Sequence, residues 1–308
     1  MSANAGSGAS NYEYVTARVR ARRAALFSDE EYRKLLRMGP GEIARFMEET
    51  EYEQEVNALG SRYSGVDLIE YALNRNLAKH FDDLLRWSEG RLYEQVARYL
   101  RKFDAWNVKT VLRGIYAETR VEAIEDDLIR AGEFDDAFLE RLVNAGTIED
   151  AVELLEPTMF GDDLAAAYDD YESSGLLVPL ENAVDRTYYE GLLAGVSGQT
   201  DSRAEELYAE FLRAEIDFRN ARNALRLARS GAGIDPAEYF IEGGTLFSAS
   251  ELGTLANNTD ELVERIRDST YGEDLEAALD DLADADSLVG FEHALDAALL
   301  EYSTHLSH

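Results

Sequence analysis

The sequence predicts an all-α protein made of three repeated helical units. Three observations carry this: a composition rich in helix formers, very few helix breakers, and apolar positions that recur at helical spacing from one repeat to the next. Alanine, leucine, glutamate and arginine dominate the 308 residues, and only Pro40, Pro157, Pro179 and Pro236 interrupt them. Side chains of this kind lose little freedom in a helix. Strand-like alternation is confined to a short run near residues 239–247, beside glycines, which is too little for a sheet.

The repeat is legible in three blocks. Ile69-Glu70-Tyr71-Ala72-Leu73-Asn74 recurs 111 residues later as Leu180-Glu181-Asn182-Ala183-Val184-Asp185, and after another 111 as Phe291-Glu292-His293-Ala294-Leu295-Asp296. Ile69, Leu73 and Leu77 match Leu180, Val184 and Tyr188, then Phe291, Leu295 and Leu299, one stripe of an amphipathic helix. A preceding block, residues 42–52, 149–160 and 260–271, is an amphipathic helix that ends in threonine and an aromatic residue. A following block has the pattern D-x-x-N-x-[KR]-x-x-L-R. It runs from Asp104 through Asn107 to Arg113, and from Asp217 through Asn220 to Arg226. Its core positions are Val108, Leu112 and Ile115, then Ala221, Leu225 and Ala228. The second copy should stop at Gly231, with Arg226 and Arg229 facing the negative helix end.

The expected organisation is a tail at 1–11, unit 1 at 12–120, unit 2 at 121–233 and unit 3 at 234–308. A third D-x-x-N helix, counted from Ala294, would end near residues 335–337, so unit 3 is expected to be incomplete at its C-terminal end. The stripe on Leu295 and Leu299 would then lack a cover.

Charge excludes several function classes. There are 62 acidic and 30 basic residues, a net charge of -32, and the only lysines are Lys34, Lys79, Lys102 and Lys109. Such a chain repels phosphate backbones, which argues against nucleic acid. Acid excess with scarce lysine suits a salt-rich cytoplasm, where the Debye length shrinks to ~3 Å at 1 M. The absence of cysteine removes thiolate metal sites and thiol catalysis. No stretch approaches the ~20 apolar residues of a membrane span, and the first ten residues lack the apolar core of a signal peptide.

No catalytic constellation emerges. There is no G-x-x-x-x-G-K-[ST] and no H-E-x-x-H. Asp280, Asp281 and Asp284 spell D-D-x-x-D, which could hold magnesium diphosphate on a helical face. That makes a magnesium-dependent isoprenoid-type enzyme the remote alternative. His305 and His308 share a helical face but lack supporting carboxylates, and a solvated tail is the better account. No cofactor, metal or small-molecule substrate is expected. Arg18, Arg20, Arg22 and Arg23 form the one basic cluster, either a solvated face or a docking surface for an acidic partner. Asp104, Asn107, Asp217 and Asn220 either bridge neighbouring helices or meet a partner together with Arg113 and Arg226.

The ordered blocks from about Tyr12 to Tyr302, with the opening helix from Tyr12 to Leu26, resemble the C subunit of archaeal A-type ATP synthases, which is similar to the d subunit of eukaryotic vacuolar ATPases. The resemblance implies three helical units around a pseudo-threefold axis, forming a funnel. The funnel would sit on the proteolipid ring at the cytoplasmic face of the membrane and receive the central-stalk subunits D and F. It further implies a rotor part that transmits torque without chemistry of its own. A generic helical-repeat adaptor is the alternative.

Overall fold

A computed structural model describes residues 10–196, 203–230, 235–273, 276, 279, 280 and 288–306. It is 74% helical, and no strand occurs among the described residues. The chain divides into two compact units, Met1–Tyr168 and Asp169–His308. Neither boundary between the sequence repeats falls at that division.

The first unit contains α1 (Tyr12–Arg23), α2 (Asp29–Leu35), α3 (Pro40–Met47), α4 (Glu53–Leu59), α5 (Gly65–Trp87), α6 (Gly90–Leu100), α7 (Lys102–Tyr116), α8 (Val121–Asp126), α9 (Asp136–Val143) and α10 (Ile148–Leu155). Helix α11 (Gly161–Ser174) runs across the division. The second unit contains α12 (Val178–Ala194), α13 (Arg203–Ser230), a 3₁₀ turn (Pro236–Tyr239), α14 (Ala249–Leu255), α15 (Thr259–Arg267) and α16 (Leu288–Leu306). The segment with strand-like alternation is thus a 3₁₀ turn followed by loop. Gly231, Asp281, Asp284 and His308 lie outside the described residues, so the helix stop at Gly231, the D-D-x-x-D pattern and the histidine pair do too.

Local chemistry repeats three times. Short helix pairs α2–α3, α9–α10 and α14–α15 begin at Ser28, Asp135 and Ser248. Ser28 and Ser248 form capping boxes with Glu31 and Glu251, and Asp135 accepts the Phe138 amide at 2.8 Å. Thr147 and Asn258 cap the second helices of the later pairs. Each such cap contributes about 1 kcal/mol. The chain then turns on a hydroxyl. Thr50 donates to the Met47 carbonyl at 2.7 Å and accepts the Tyr52 amide. Thr158 donates to Leu155 and accepts from Phe160, and Ser269 donates to Ile266 and accepts from Tyr271. Ser269, not Thr270, therefore fills the position in the third copy, and the pattern is [ST]-x-[YF]. The turn delivers Phe160 and Tyr271 into buried positions, at 0% and 3% exposure.

Apolar clusters among the described residues hold the repeated helices in place. One joins α3, α4 and α5 through Met47, Val56, Leu68 and Ala72. A second joins Leu100 and Phe103 to Ile129 and Ala131. The third, in the second unit, gathers Phe218, Leu225, Leu246, Leu262, Ile266, Tyr271 and Leu295. The predicted core positions Val108, Leu112, Ala221 and Leu225 are all buried.

Candidate interaction surface and its buried joints

The D-x-x-N helices are organised around the same joint twice. Aspartate and asparagine three residues apart lie on one helix face. On α7, Asp104 accepts the amides of Glu133 (2.8 Å) and Phe134 (3.0 Å). Asn107 donates to the Ile129 carbonyl and accepts the Ile129 amide, both at 2.9 Å. On α13, Asp217 accepts the amides of Thr245 and Leu246 at 3.0 Å, and Asn220 makes the same double bond to Ile241 at 2.8 Å. A side-chain amide carries a donor and an acceptor, so one asparagine satisfies both backbone groups of a buried residue. Each helix thereby holds the loop that enters the next short helix pair, α9–α10 or α14–α15. The joint links what the sequence period assigns to successive repeats.

All four side chains are buried, at 2% or less. That corrects the partner-contact reading for Asp104, Asn107, Asp217 and Asn220: their polar atoms are spent on backbone groups within the chain, and none reaches the surface. Sequence reasoning also missed two glycines. A Cβ on Gly132 would fall on the Asp104 carboxylate, and one on Gly244 on the Asp217 carboxylate. Their signal was present, since they stand 112 residues apart, in step with the asparagine-bonded Ile129 and Ile241. Gly132→Ala is expected to destabilise the chain by roughly 2 kcal/mol, through loss of one or both amide bonds. Chemical denaturation at high salt checks this, and an unchanged midpoint would refute the close approach.

Burial pushes the Asp104 carboxyl up to about 6 from its ordinary 3.8, against the pull of its two backbone amides. Burial raises Asp217 as well. A raised folded-state value favours the neutral acid. The contribution to stability is therefore fully present below about 3.8 and is lost as pH rises through about 6. The denaturation midpoint should fall between pH 4 and pH 7 more in the wild type than in Asp104→Asn; equal falls would exclude Asp104 as a source.

The arginines divide differently. Arg226 forms a two-pronged ion pair with Glu292 of α16, its Nη2 donating to Oε2 at 2.6 Å, and Arg222 pairs with Asp296. Arg113 is exposed on α7. Arg18 lies over the rings of Tyr14 and Trp87, at 4.9 and 4.8 Å, while Arg22 reaches His80 and Asp83 of α5. Arg18, Arg20 and Arg23 are exposed. Helix α1 thus presents arginines outward while Arg22 anchors it. Among the described residues no group of acidic or histidine side chains could hold a metal ion, and no helix is long and apolar enough to cross a membrane.

The blocks, the joints and their spacing run the length of the chain, and so does one match. The sequence model of the ATP synthase (C/AC39) subunit family covers residues 15–308. The chain belongs to this family. The C subunit of the A-type ATP synthase of Haloferax volcanii is 68% identical over 302 residues, covering 98% of this chain and 86% of that relative. Its counterpart in Halobacterium salinarum is 62% identical, over 98% of this chain and 86% of its own length. That of Methanococcoides burtonii is 37% identical, over 97% and 82%. Membership in the C/AC39 family makes the chain an ATP synthase subunit.

Proposed function

We propose that the chain is a non-catalytic rotor subunit that couples the central stalk, subunits D and F, to the proteolipid ring at the cytoplasmic face of the membrane. In this reading the three sequence repeats form a funnel around a pseudo-threefold axis. Family membership supports the assignment to the complex. The observation that supports the coupling role is the duplicated buried joint. Torque transfer needs stiffness between successive helices, and the buried Asp–Asn pairs on α7 and α13 each tie a helix to the loop that begins the next pair by four hydrogen bonds. The acid excess fits a salt-rich cytoplasm, as do relatives from salt-loving archaea.

The contact residues we assign are Arg18, Arg20 and Arg113, all exposed. The test is affinity capture of the ATP synthase from salt-adapted membranes with this chain as bait, in molar potassium chloride. Recovery of D, F and the proteolipid together supports the reading. Recovery of none of them, with a folded bait, favours a generic adaptor. The double substitution Arg18→Glu, Arg20→Glu should lower recovery about tenfold, equivalent to ~1.4 kcal/mol; full recovery would remove α1 from the contact.

A further inference from the structure

The expectation that Leu295 and Leu299 lack a cover is overturned: α13 packs along α16, with Arg226 on Glu292 and Arg222 on Asp296, and Leu295 is 1% exposed. The space between α1 and α5 is different. Helix α1 is pinned to α5 at both ends. Asn11 donates to the Trp87 carbonyl at 2.8 Å and accepts the Glu89 amide at 3.0 Å. Toward the other end, Arg22 bonds Asp83 at 2.6 Å and donates to His80 Nδ1 at 2.7 Å. Beside these ties the two helices leave a cavity of about 210 Å³, walled by Leu26, Phe27, Tyr52, Phe81, Leu84 and Trp87. Leu26 is 63% exposed, so the cavity communicates with solvent.

Water is a poor filling for this space. An ordered water needs several polar partners, and the walls are aromatic and aliphatic. A hydrocarbon chain suits it better, because apolar area removed from water is stabilising in proportion to its extent. The volume lies below the ~300–1,000 Å³ of pockets for drug-sized ligands, which favours a chain segment over a ring system. The rim adds a preference of charge. Arg22 is engaged by Asp83 and His80, but Arg23, also in the lining, is exposed and has no ion pair among the described residues. Glu51 is the one carboxylate in the lining. Residues 14–28 hold four arginines and no acid, in a chain of net charge -32. A guanidinium presents a fork of donors that matches a phosphate.

We propose that this cavity binds one hydrocarbon chain of an amphiphile with a phosphate head, the chemistry of an anionic phospholipid, with the chain against Phe27, Phe81 and Leu84 and the phosphate on Arg23. Both halves are needed in concentrated salt. Screening over ~3 Å at 1 M leaves an arginine effective only in direct contact, whereas burial of the chain does not depend on charge. The site goes beyond the rotor reading and does not rest on it.

Trp87 supplies the test. It lines the cavity, and the one other tryptophan is Trp106, which is exposed. In the full chain carrying Trp106→Phe, emission reports Trp87 alone. Octyl phosphate, titrated below its micelle concentration in molar potassium chloride, should give a saturable change. Inorganic phosphate, which lacks the chain, and octyl glucoside, which lacks the charge, should each need at least about tenfold more. Arg23→Ser should weaken octyl phosphate about tenfold and leave octyl glucoside unchanged. Ala25→Phe puts a ring into the lining and should weaken both amphiphiles. Arg23 and Ala25 are exposed, so both variants are expected to fold, which circular dichroism checks. The absence of a saturable change with octyl phosphate overturns the proposal. Equal affinity for octyl glucoside would make the site purely apolar and remove the phosphate. Equal affinity for inorganic phosphate would make it a surface anion site and remove the chain. Binding that Ala25→Phe leaves unchanged would put the ligand elsewhere on the protein and overturn the assignment to this cavity.

Discussion

Asp217→Ala is expected to cost the second unit roughly 2–6 kcal/mol, from about 1–3 kcal/mol for each of the two buried donors left unsatisfied. Asp217 is 0% exposed and accepts from the Thr245 amide, the Leu246 amide and the Tyr271 hydroxyl, the last at 3.1 Å. Removal of the carboxylate strands the Leu246 amide and the Tyr271 hydroxyl within the apolar cluster that holds Phe218, Leu246, Leu262 and Leu295, while the exposed Thr245 can turn to water. Marginal stability of ~5–15 kcal/mol leaves little reserve against such a loss. Asp104→Ala should cost less, because Asp104 serves two amides and no tyrosine. Asp217→Asn separates charge from hydrogen bonding: it keeps one acceptor oxygen but turns an NH₂ group toward the donors. Denaturant titration in molar potassium chloride gives the ranking, with Asp217→Ala below Asp104→Ala below wild type. If both alanine variants unfolded with the wild-type midpoint, the joints would be dispensable.

The second large effect comes from removing salt. The net charge is -32, and the described ion pairs are mostly at the surface, as in Arg101–Glu133 and Arg130–Asp136. Exposed pairs of this kind add little. Lowering ionic strength from 1 M to 0.1 M lengthens the Debye screening distance from ~3 to ~10 Å, which brings neighbouring carboxylates into mutual repulsion. We expect the thermal midpoint to drop by more than ~10 °C, at ~2–4 °C per kcal/mol for units of this size. Sorbitol at equal osmolality should not rescue the fold, whereas sodium chloride should. A midpoint that survives dilution would mean that the acid excess is neutral for stability.

Much was decided by sequence. The helical period, the caps at Ser28, Asp135 and Ser248, the core positions Val108, Leu112, Ala221 and Leu225, and the three ordered blocks arise from interactions over a few residues, so they are written in local order. The family followed from those blocks as well. Other features required the tertiary structure. In sequence Asp104 and Asn107 could equally bridge helices or meet a partner; the groups they bond are backbone N–H and C=O 22 to 30 residues away, and no local pattern reveals whether a polar side chain finds such groups. Ser269 and Thr270 carry the same hydroxyl, and only the turn geometry selects Ser269. The clearest case is the stripe shared by α5, α12 and α16. Its letters predict three equivalent apolar faces, yet Leu295 is buried and Leu73 is not. Amphipathic periodicity states that a face needs a cover; which helix arrives to cover it depends on contacts between elements far apart in the chain.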